Sequence, residues 1–227
     1  GEETYDSTYV VRKLNKKPND IEYQTVKAKR DTAYWKPARN LGDKINSSTW
    51  DSHPTLNATE DTLYFASDRV GGFGMSDIYF ITKDKNNEWT SPKNLGPIVN
   101  TRANELSPFY HPLFEVLYFS SNGHLLNFGD YDIYKSYHIG SGNNWSEPYN
   151  IGPLVNGEGT EFYFSIDRQS EYIYYARSEE QSMKGLNLFS FPLPMEGQPL
   201  ANTRFSGNIK DVYGKIPEDL VVSIIDL

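Results

Sequence analysis

Three carboxylates recur at equivalent positions along the chain and are the first candidates for chemistry. Each follows an asparagine by five residues, in the pairs Asn46 and Asp51, Asn100 and Glu105, and Asn156 and Glu161. A ring of acids from repeated units could hold a cation or a basic peptide. Paired carboxylates also carry out glycoside hydrolysis, but these three show no acid/base asymmetry. The structural alternative is that each carboxylate accepts backbone N–H groups at the turn into a strand.

Two glycine-containing loops supply the remaining binding candidates. The candidates are Asp68, Arg69 and Phe73 in the loop of residues 68–77, and Asn122 and Phe128 in the loop of residues 122–132. We interpret the two phenylalanines, with Trp50 and Tyr110, as aromatics outside the repeat, which favours ligand contact over a core position. Neither loop has the ligand spacing of an EF-hand, and no helix follows that could bind phosphate. We therefore expect no metal and no cofactor.

Other catalytic residue types are missing from the sequence or scattered along it. The chain has no Cys, which excludes a Cys nucleophile, a disulfide scaffold and a Cys-based zinc site. Its four His occupy non-equivalent positions without the spacing of metal ligands. No Gly-x-Ser-x-Gly nucleophile elbow is present, and nothing marks a Ser-His-Asp triad. The sequence therefore predicts a protein that is not an enzyme.

The carboxylates belong to an internal repeat that begins at Trp35, Trp89 and Trp145. Each copy continues through Asn-Leu-Gly or Asn-Ile-Gly, the carboxylate, an aromatic strand and a second strand. We define the units as residues 35–88, 89–144 and 145–200, each with four short antiparallel strands. Four-stranded units of this length are typical of β-propeller blades. A solenoid is the alternative, although its coils are usually shorter than about 50 residues.

The composition limits the class of protein. The 227 residues include 22 Lys and Arg against 30 Asp and Glu, a net charge of −8 that argues against a nucleic-acid binder. Aromatic residues make up 15% of the chain, which favours half-buried strands over helices. The longest apolar stretch, residues 220–225, is far short of the roughly 20 residues of a membrane span. We expect no transmembrane segment, and no signal peptide in this sequence.

The repeat motifs resemble a known family. They are Trp-x-x-Pro-x-Asn-Leu-Gly at 89–96, Leu-Tyr-Phe-x-Ser at 63–67 and 117–121, and Asp-Ile-Tyr at 77–79 and 132–134. Together they resemble the WD40-like PD40 repeat, which also builds the propeller of TolB. The 54–56-residue variant is similar to propellers in OmpA-family outer-membrane proteins of Bacteroidetes. The third copy departs from the pattern, because Arg177 replaces the serine and Asn187 the aspartate.

The resemblance implies a non-catalytic protein-binding or scaffolding propeller of the bacterial cell envelope. It implies a periplasmic or outer-membrane-associated location, a protein or peptide partner, and a place in a secretion or motility assembly. A glycan-binding or glycoside-hydrolase propeller is the alternative function.

Three units do not close a propeller, since four blades are the practical minimum. We predict that residues 1–34, with strands at Thr8–Leu14 and Ile21–Lys27, and residues 201–227 together complete a fourth blade. The alternative is that residues 205–217 resemble the start of a carboxypeptidase-regulatory-like domain, so that the tail would begin a second domain.

Overall fold

The computed structural model describes residues 4–11, 22–29, 37–140, 142–178 and 185–200. The chain divides into two compact units, Gly1–Asn40 and Leu41–Leu227. The first unit contains an antiparallel hairpin of β1 (Thr4–Val11) and β2 (Glu22–Lys29), which pair from Thr4 opposite Lys29 to Val11 opposite Glu22. β1 begins earlier than the predicted Thr8, because the residues from Thr4 to Ser7 pair with those from Val26 to Lys29. The tail predicted to join these strands lies outside the described residues, so closure of a ring stays a prediction.

The second unit is built from three antiparallel sheets, which confirms the all-β prediction. The first sheet contains β3 (Asp51–Leu56), β4 (Thr62–Ser67), β5 (Asp77–Thr82) and β6 (Lys93–Asn94), and the second contains β7 (Glu105–Tyr110), β8 (Val116–Ser121), β9 (Asp132–Tyr137) and β10 (Tyr149–Asn150). The third contains β11 (Thr160–Ile166), β12 (Tyr172–Ser178) and β13 (Asn187–Pro192). Strands follow one another in chain order within each sheet. Across the described ranges, no helix has the length and apolar character needed to cross a membrane.

The third sheet has three strands in the described residues. The fourth strand of each of the first two sheets comes from the start of the following unit, so its counterpart in the third sheet falls beyond residue 200, outside the described residues, and stays a prediction. Pro192 is the last residue of β13 and Pro194 follows soon after it, and neither has an N–H group to donate to a sheet. The chain instead forms a 3₁₀ turn, Met195–Gly197, that packs on the second sheet. The Tyr118 hydroxyl donates to the Gly197 carbonyl at 2.8 Å, which anchors this turn.

Apolar side chains between neighbouring sheets form the core. Tyr64 of the first sheet packs with Phe119 and Trp145 of the second, and the Tyr64 and Trp145 rings lie 6.0 Å apart. A second cluster joins Tyr118 of the second sheet to Ile173 and Tyr175 of the third. These contacts agree with the periodic aromatic residues of the repeat packing between sheets.

Two aromatic residues depart from their predicted roles. Tyr110, expected at a ligand site, instead stacks on Tyr64 with 5.4 Å between ring centroids. Tyr174, expected in the core, is 51% exposed. Tyr64 and Tyr118, which occupy the equivalent position, pack against the next sheet along the chain. The third sheet has no following sheet in the described residues to cover Tyr174.

A hydrogen-bond network on Asn100 ties the first sheet to the segment that follows it. The Asn100 Oδ1 accepts from the Ile78 N–H at 2.8 Å, and its Nδ2 donates to the Ile78 carbonyl at 3.0 Å. The Asn100 Nδ2 also donates to Asn94 Oδ1 at 2.8 Å. The Asn94 Nδ2 in turn donates to Asp77 Oδ2 at 2.7 Å. The network satisfies polar groups that would otherwise be buried without partners.

The same network recurs in the second sheet. Asn156 exchanges two hydrogen bonds of 2.9 Å with the backbone of Ile133 and donates to Asn150 Oδ1 at 2.7 Å. The Asn150 Nδ2 donates to Asp132 Oδ2 at 2.6 Å. The repeated Asn-Leu/Ile-Gly, Asn and Asp-Ile-Tyr motifs therefore specify structure.

We expect Asn156→Ala to lower the free energy of unfolding by about 1–3 kcal/mol, because it removes the acceptor of the Ile133 N–H and one of the two donors to the Ile133 carbonyl, which keeps its bond from the Ile151 N–H. Urea unfolding measures the change. Asn86→Ala, at an exposed turn position, is the matched control and should change stability by less than about 0.5 kcal/mol. Equal effects from the two substitutions would contradict a structural role for the network.

Candidate functional site

The carboxylate of Glu105 is enclosed within the second sheet. It is fully buried and accepts from the Thr101 N–H at 2.8 Å, the Thr101 hydroxyl at 2.7 Å and the Ser121 hydroxyl at 2.8 Å. Burial raises the pKa of Glu105, and the hydrogen bonds from Thr101 and Ser121 act in the opposite direction. Glu105 therefore accepts a hydrogen bond from the backbone N–H four residues upstream, as expected if these carboxylates have a structural role.

Asp51 has the same arrangement at the start of the first sheet. It accepts from the Ser47 N–H at 2.6 Å and the Ser47 hydroxyl at 2.8 Å. Arg69 forms an ion pair with Asp51 at 2.6 Å and also lies over the rings of Phe65 and Tyr79. Arg69, predicted to bind a ligand, thus serves mainly to join the loop after β4 to the start of β3.

Glu161 is the exception among the three acids. Gly157 and Arg177 stand where the second sheet has the hydroxyls of Thr101 and Ser121. Glu161 is fully buried, and Arg177 Nε approaches its Oε1 at 3.2 Å. Neither Arg177 Nε nor any other described atom gives either oxygen a hydrogen bond of good geometry. Burial raises the pKa of Glu161 to about 7, despite the nearby Gly157 N–H and Arg177 charge.

The three acids therefore do not form an open ring at a channel mouth. Glu105 and Glu161 are enclosed at the junctions between sheets, and Asp51 is neutralised by Arg69. No group of three or more His, Asp or Glu side chains in the described part of the chain is placed to hold a metal ion.

The polar loop candidates also bond within the protein. Asp68 Oδ1 accepts from the Trp50 N–H at 2.7 Å, and Asn122 Oδ1 accepts from the Asn104 N–H at 3.0 Å. Each of these side chains follows the second strand of its sheet and holds the residue just before the first strand. Asp68 and Asn122 therefore fix the two loops to the starts of β3 and β7.

Phe73 and Phe128 are the predicted candidates that remain available to a partner. They are 49% and 48% exposed. The Phe128 N–H donates to Asp132 Oδ2 at 2.8 Å, and the Phe73 N–H makes the same bond to Asp77. The interpretation of these residues as lying outside the repeat is wrong. Both begin a Phe-Gly-x-x-Asp motif, which an alignment on the aspartates would have shown.

Four further apolar side chains on the same two loops were missed by the sequence reasoning. They are Val70 and Met75 in the loop between β4 and β5, and Leu125 and Leu126 in the loop between β8 and β9, all strongly exposed. Exposed leucines give no signal in a sequence, since a core residue has the same type. We call these four residues, together with Phe73 and Phe128, the display face.

The loops of the display face are neighbours with fixed backbones. The Met75 N–H donates to the Ala103 carbonyl at 2.8 Å, and the Asn122 N–H donates to the Asn104 carbonyl at 3.3 Å, so both loops contact one short segment. The Leu126 carbonyl accepts from the Tyr134 hydroxyl and from Asn150 Nδ2, each at 2.6 Å.

A second group of side chains meets where β3, β7 and β11, the first strands of the three sheets, approach one another. His53, Ser107 and Tyr163 occupy equivalent positions at a β-bulge, with φ angles of 52°, 50° and 48°. The His53 ring lies 5.1 Å from the Tyr163 ring and 5.3 Å from the Trp50 ring. We call Trp50, His53 and Tyr163 the axial cluster. Sequence reasoning identified only Trp50 of the three.

Replacement of Glu161 by glutamine tests the electrostatics of its site. Glu161 is expected to stay protonated in the folded protein up to about pH 7, whereas the unfolded chain releases the proton near pH 4.5. Its contribution to stability is therefore present below pH 4.5 and lost as the pH rises through 7. Glu161→Gln stays neutral and should match the wild type at pH 4 but exceed its free energy of unfolding at pH 8 by roughly 1–3 kcal/mol.

The measurement is urea unfolding of both proteins from pH 4 to pH 8. Glu158→Gln, at an exposed position near the same junction, is the control and should show no such pH-dependent difference. A constant difference between Glu161→Gln and the wild type at every pH would show that Glu161 ionises normally.

The solved structures that share a limited likeness with this chain include two TolB proteins. A protein provisionally assigned as TolB from Agrobacterium tumefaciens is 13% identical with a TM-score of 0.47, over 69% of this chain and 48% of that one. TolB from Acinetobacter baumannii is 11% identical with a TM-score of 0.41, over 62% of this chain and 29% of that one. This chain thus spans less than half the length of either protein. No protein-family model and no curated protein matches the sequence.

Proposed function

We propose that this chain is a non-catalytic protein-binding module whose display face binds a protein or peptide partner. The observation that carries the proposal is the exposure of six apolar side chains on two adjacent loops whose backbones are fixed by buried carboxylates and carboxamides. Exposed apolar groups on a rigid frame favour binding, since little conformational entropy is lost on association. Aromatic residues such as Phe73 and Phe128 are typical anchors of protein interfaces.

The cell envelope is the proposed setting. The motifs at residues 89–96, 117–121 and 132–134 resemble PD40 repeats, and the proposal takes from that resemblance a periplasmic or outer-membrane-associated location. A role in a secretion or motility assembly belongs to the same proposal.

The glycoside-hydrolase alternative has less support from the geometry. Hydrolysis requires two carboxylates that face a bound sugar. Glu105 and Glu161 are fully buried, and the Asp51 carboxylate is held by Arg69 and Ser47. The proposed module therefore acts by binding alone.

A double substitution tests the proposal. Phe73→Ser with Phe128→Ser removes the two aromatic side chains and leaves the backbone N–H groups that bond to Asp77 and Asp132. We expect it to reduce the amount of the specific envelope partner retained on the immobilised protein by at least about tenfold. Quantitative mass spectrometry of proteins retained from an envelope extract measures the loss.

The matched control is Leu113→Ser with Ile139→Ser. These residues are similarly exposed but lie in turns at the opposite ends of the strands. The control should retain the partner at the wild-type level, and melting temperatures of both variants should confirm that they are folded. Undiminished retention by the Phe73→Ser/Phe128→Ser protein would contradict the proposal.

A further inference from the structure

The axial cluster presents aromatic surface where three strands meet. Trp50 is 39% exposed and Tyr163 is 57% exposed, while His53 lies partly buried between them. The rings of Trp50 and Tyr163 meet the His53 ring at interplanar angles of 75° and 64°. The two exposed rings therefore flank one imidazole without stacking on it, and each leaves part of its surface open to a ligand.

The backbone beneath the cluster is repeated, but its side chains differ. His53, Ser107 and Tyr163 all have positive φ angles, which residues other than glycine rarely adopt and which concentrate at functional sites. The positive φ angle recurs at the bulge of all three sheets, so the backbone conformation belongs to the repeat while its side chains differ. The bulge therefore places three chemically different groups at one location.

Hydrogen bonds along the bulges keep the imidazole neutral. The Ser107 N–H donates to His53 Nδ1 at 3.3 Å, and the Tyr163 N–H donates to Ser107 Oγ at 3.4 Å. Nδ1 accepts this bond only when it is unprotonated, so the neutral ring carries its proton on Nε2. Burial also lowers the pKa of His53, which favours the same neutral form. The cluster therefore adds no positive charge at neutral pH.

The charges around the cluster favour a cation. Asp68 fixes the Trp50 backbone through a 2.7 Å hydrogen bond, and hydrogen bonding to Thr49 and to the Trp50 N–H lowers the pKa of Asp68, so this exposed carboxylate is ionised at neutral pH. The nearby guanidinium of Arg69 is neutralised by Asp51 and covered by its contacts with two aromatic rings. The first 34 residues contain seven basic and six acidic residues. The rest of the chain contains 15 basic and 24 acidic residues and therefore carries a net negative charge.

We propose that the axial cluster binds a basic side chain, lysine or arginine, of the protein partner. A cation over the faces of Trp and Tyr is attracted by their negative ring surfaces, and Asp68 adds a carboxylate beside Trp50. The assignment rests on the proposed protein-binding function and specifies one feature of the partner. Trp50 connects the cluster to the display face, because its N–H and carbonyl bond to Asp68 at the start of the loop between β4 and β5.

The experiment is an NMR titration of the full chain with two capped tripeptides, acetyl-Gly-Arg-Gly-amide and its citrulline analogue. Citrulline has almost the shape of arginine but carries no charge. We expect the arginine peptide to shift the Trp50 indole and Tyr163 ring signals saturably, with a dissociation constant of about 1–50 mM, a range that such titrations detect. The citrulline peptide should bind at least about fivefold more weakly.

Matched variants show whether the shifts arise from the cluster. Tyr163→Leu should abolish saturable binding, whereas Tyr172→Leu, a similarly exposed tyrosine on the third sheet, should leave it unchanged. The Phe73→Ser/Phe128→Ser protein should bind the arginine peptide normally. The NMR titration therefore tests the axial cluster alone, whereas retention of the partner on the immobilised protein tests the display face, so that either proposal can fail without the other.

Three results would overturn the assignment. The first is the absence of saturable shifts with the arginine peptide, and the second is equal binding of the arginine and citrulline peptides. The third is saturable binding of N-acetylglucosamine with shifts at Trp50 and Tyr163 larger than those from arginine, which would identify a sugar site instead.

Discussion

The carboxamides of Asn100 and Asn156 each pair with both backbone groups of a single strand residue. Ile78 and Ile133 follow directly after the aspartates that begin β5 and β9. The hydrogen bonds from the Asn100 and Asn156 carboxamides therefore hold the start of each strand. Through Asn94 and Asn150 the same networks reach Asp77 and Asp132. These two carboxylates then accept the N–H groups of the loops that carry Phe73 and Phe128. The geometry of the two loops therefore depends on polar groups that are not themselves part of the display face.

At the junction between the second and third sheets, the buried carboxylate of Glu161 lacks the hydroxyl donors that Glu105 has in the second sheet. Replacement of a threonine and a serine by Gly157 and Arg177 leaves Glu161 with an ion pair at 3.2 Å as its main contact. Lys135 of β9 is also buried, and it donates to the Gln198 carbonyl at 2.6 Å. Burial lowers the pKa of Lys135 to about 8.

Much of the fold could be predicted from the sequence because the repeat is periodic. Leu63–Ser67 and Leu117–Ser121 are aromatic segments that recur at equivalent positions, and the structure has strands at both places. The axial cluster could not be predicted, since no residue type marks a positive φ angle at a histidine or a tyrosine. The candidate carboxylates were located correctly in the repeat, but burial, which periodicity does not reveal, decides their chemistry.

Hydrogen exchange at the Phe128 amide tests most directly whether buried polar groups hold the display loops rigid. If the Asp132 carboxylate fixes this loop, the Phe128 N–H exchanges as slowly as amides within β9, and Asp132→Ala accelerates its exchange by at least about tenfold. The Val70 amide, on a strongly exposed residue in the other loop, provides an internal reference within the same protein. Exchange of the wild-type Phe128 amide at the rate of an unstructured peptide would contradict the account.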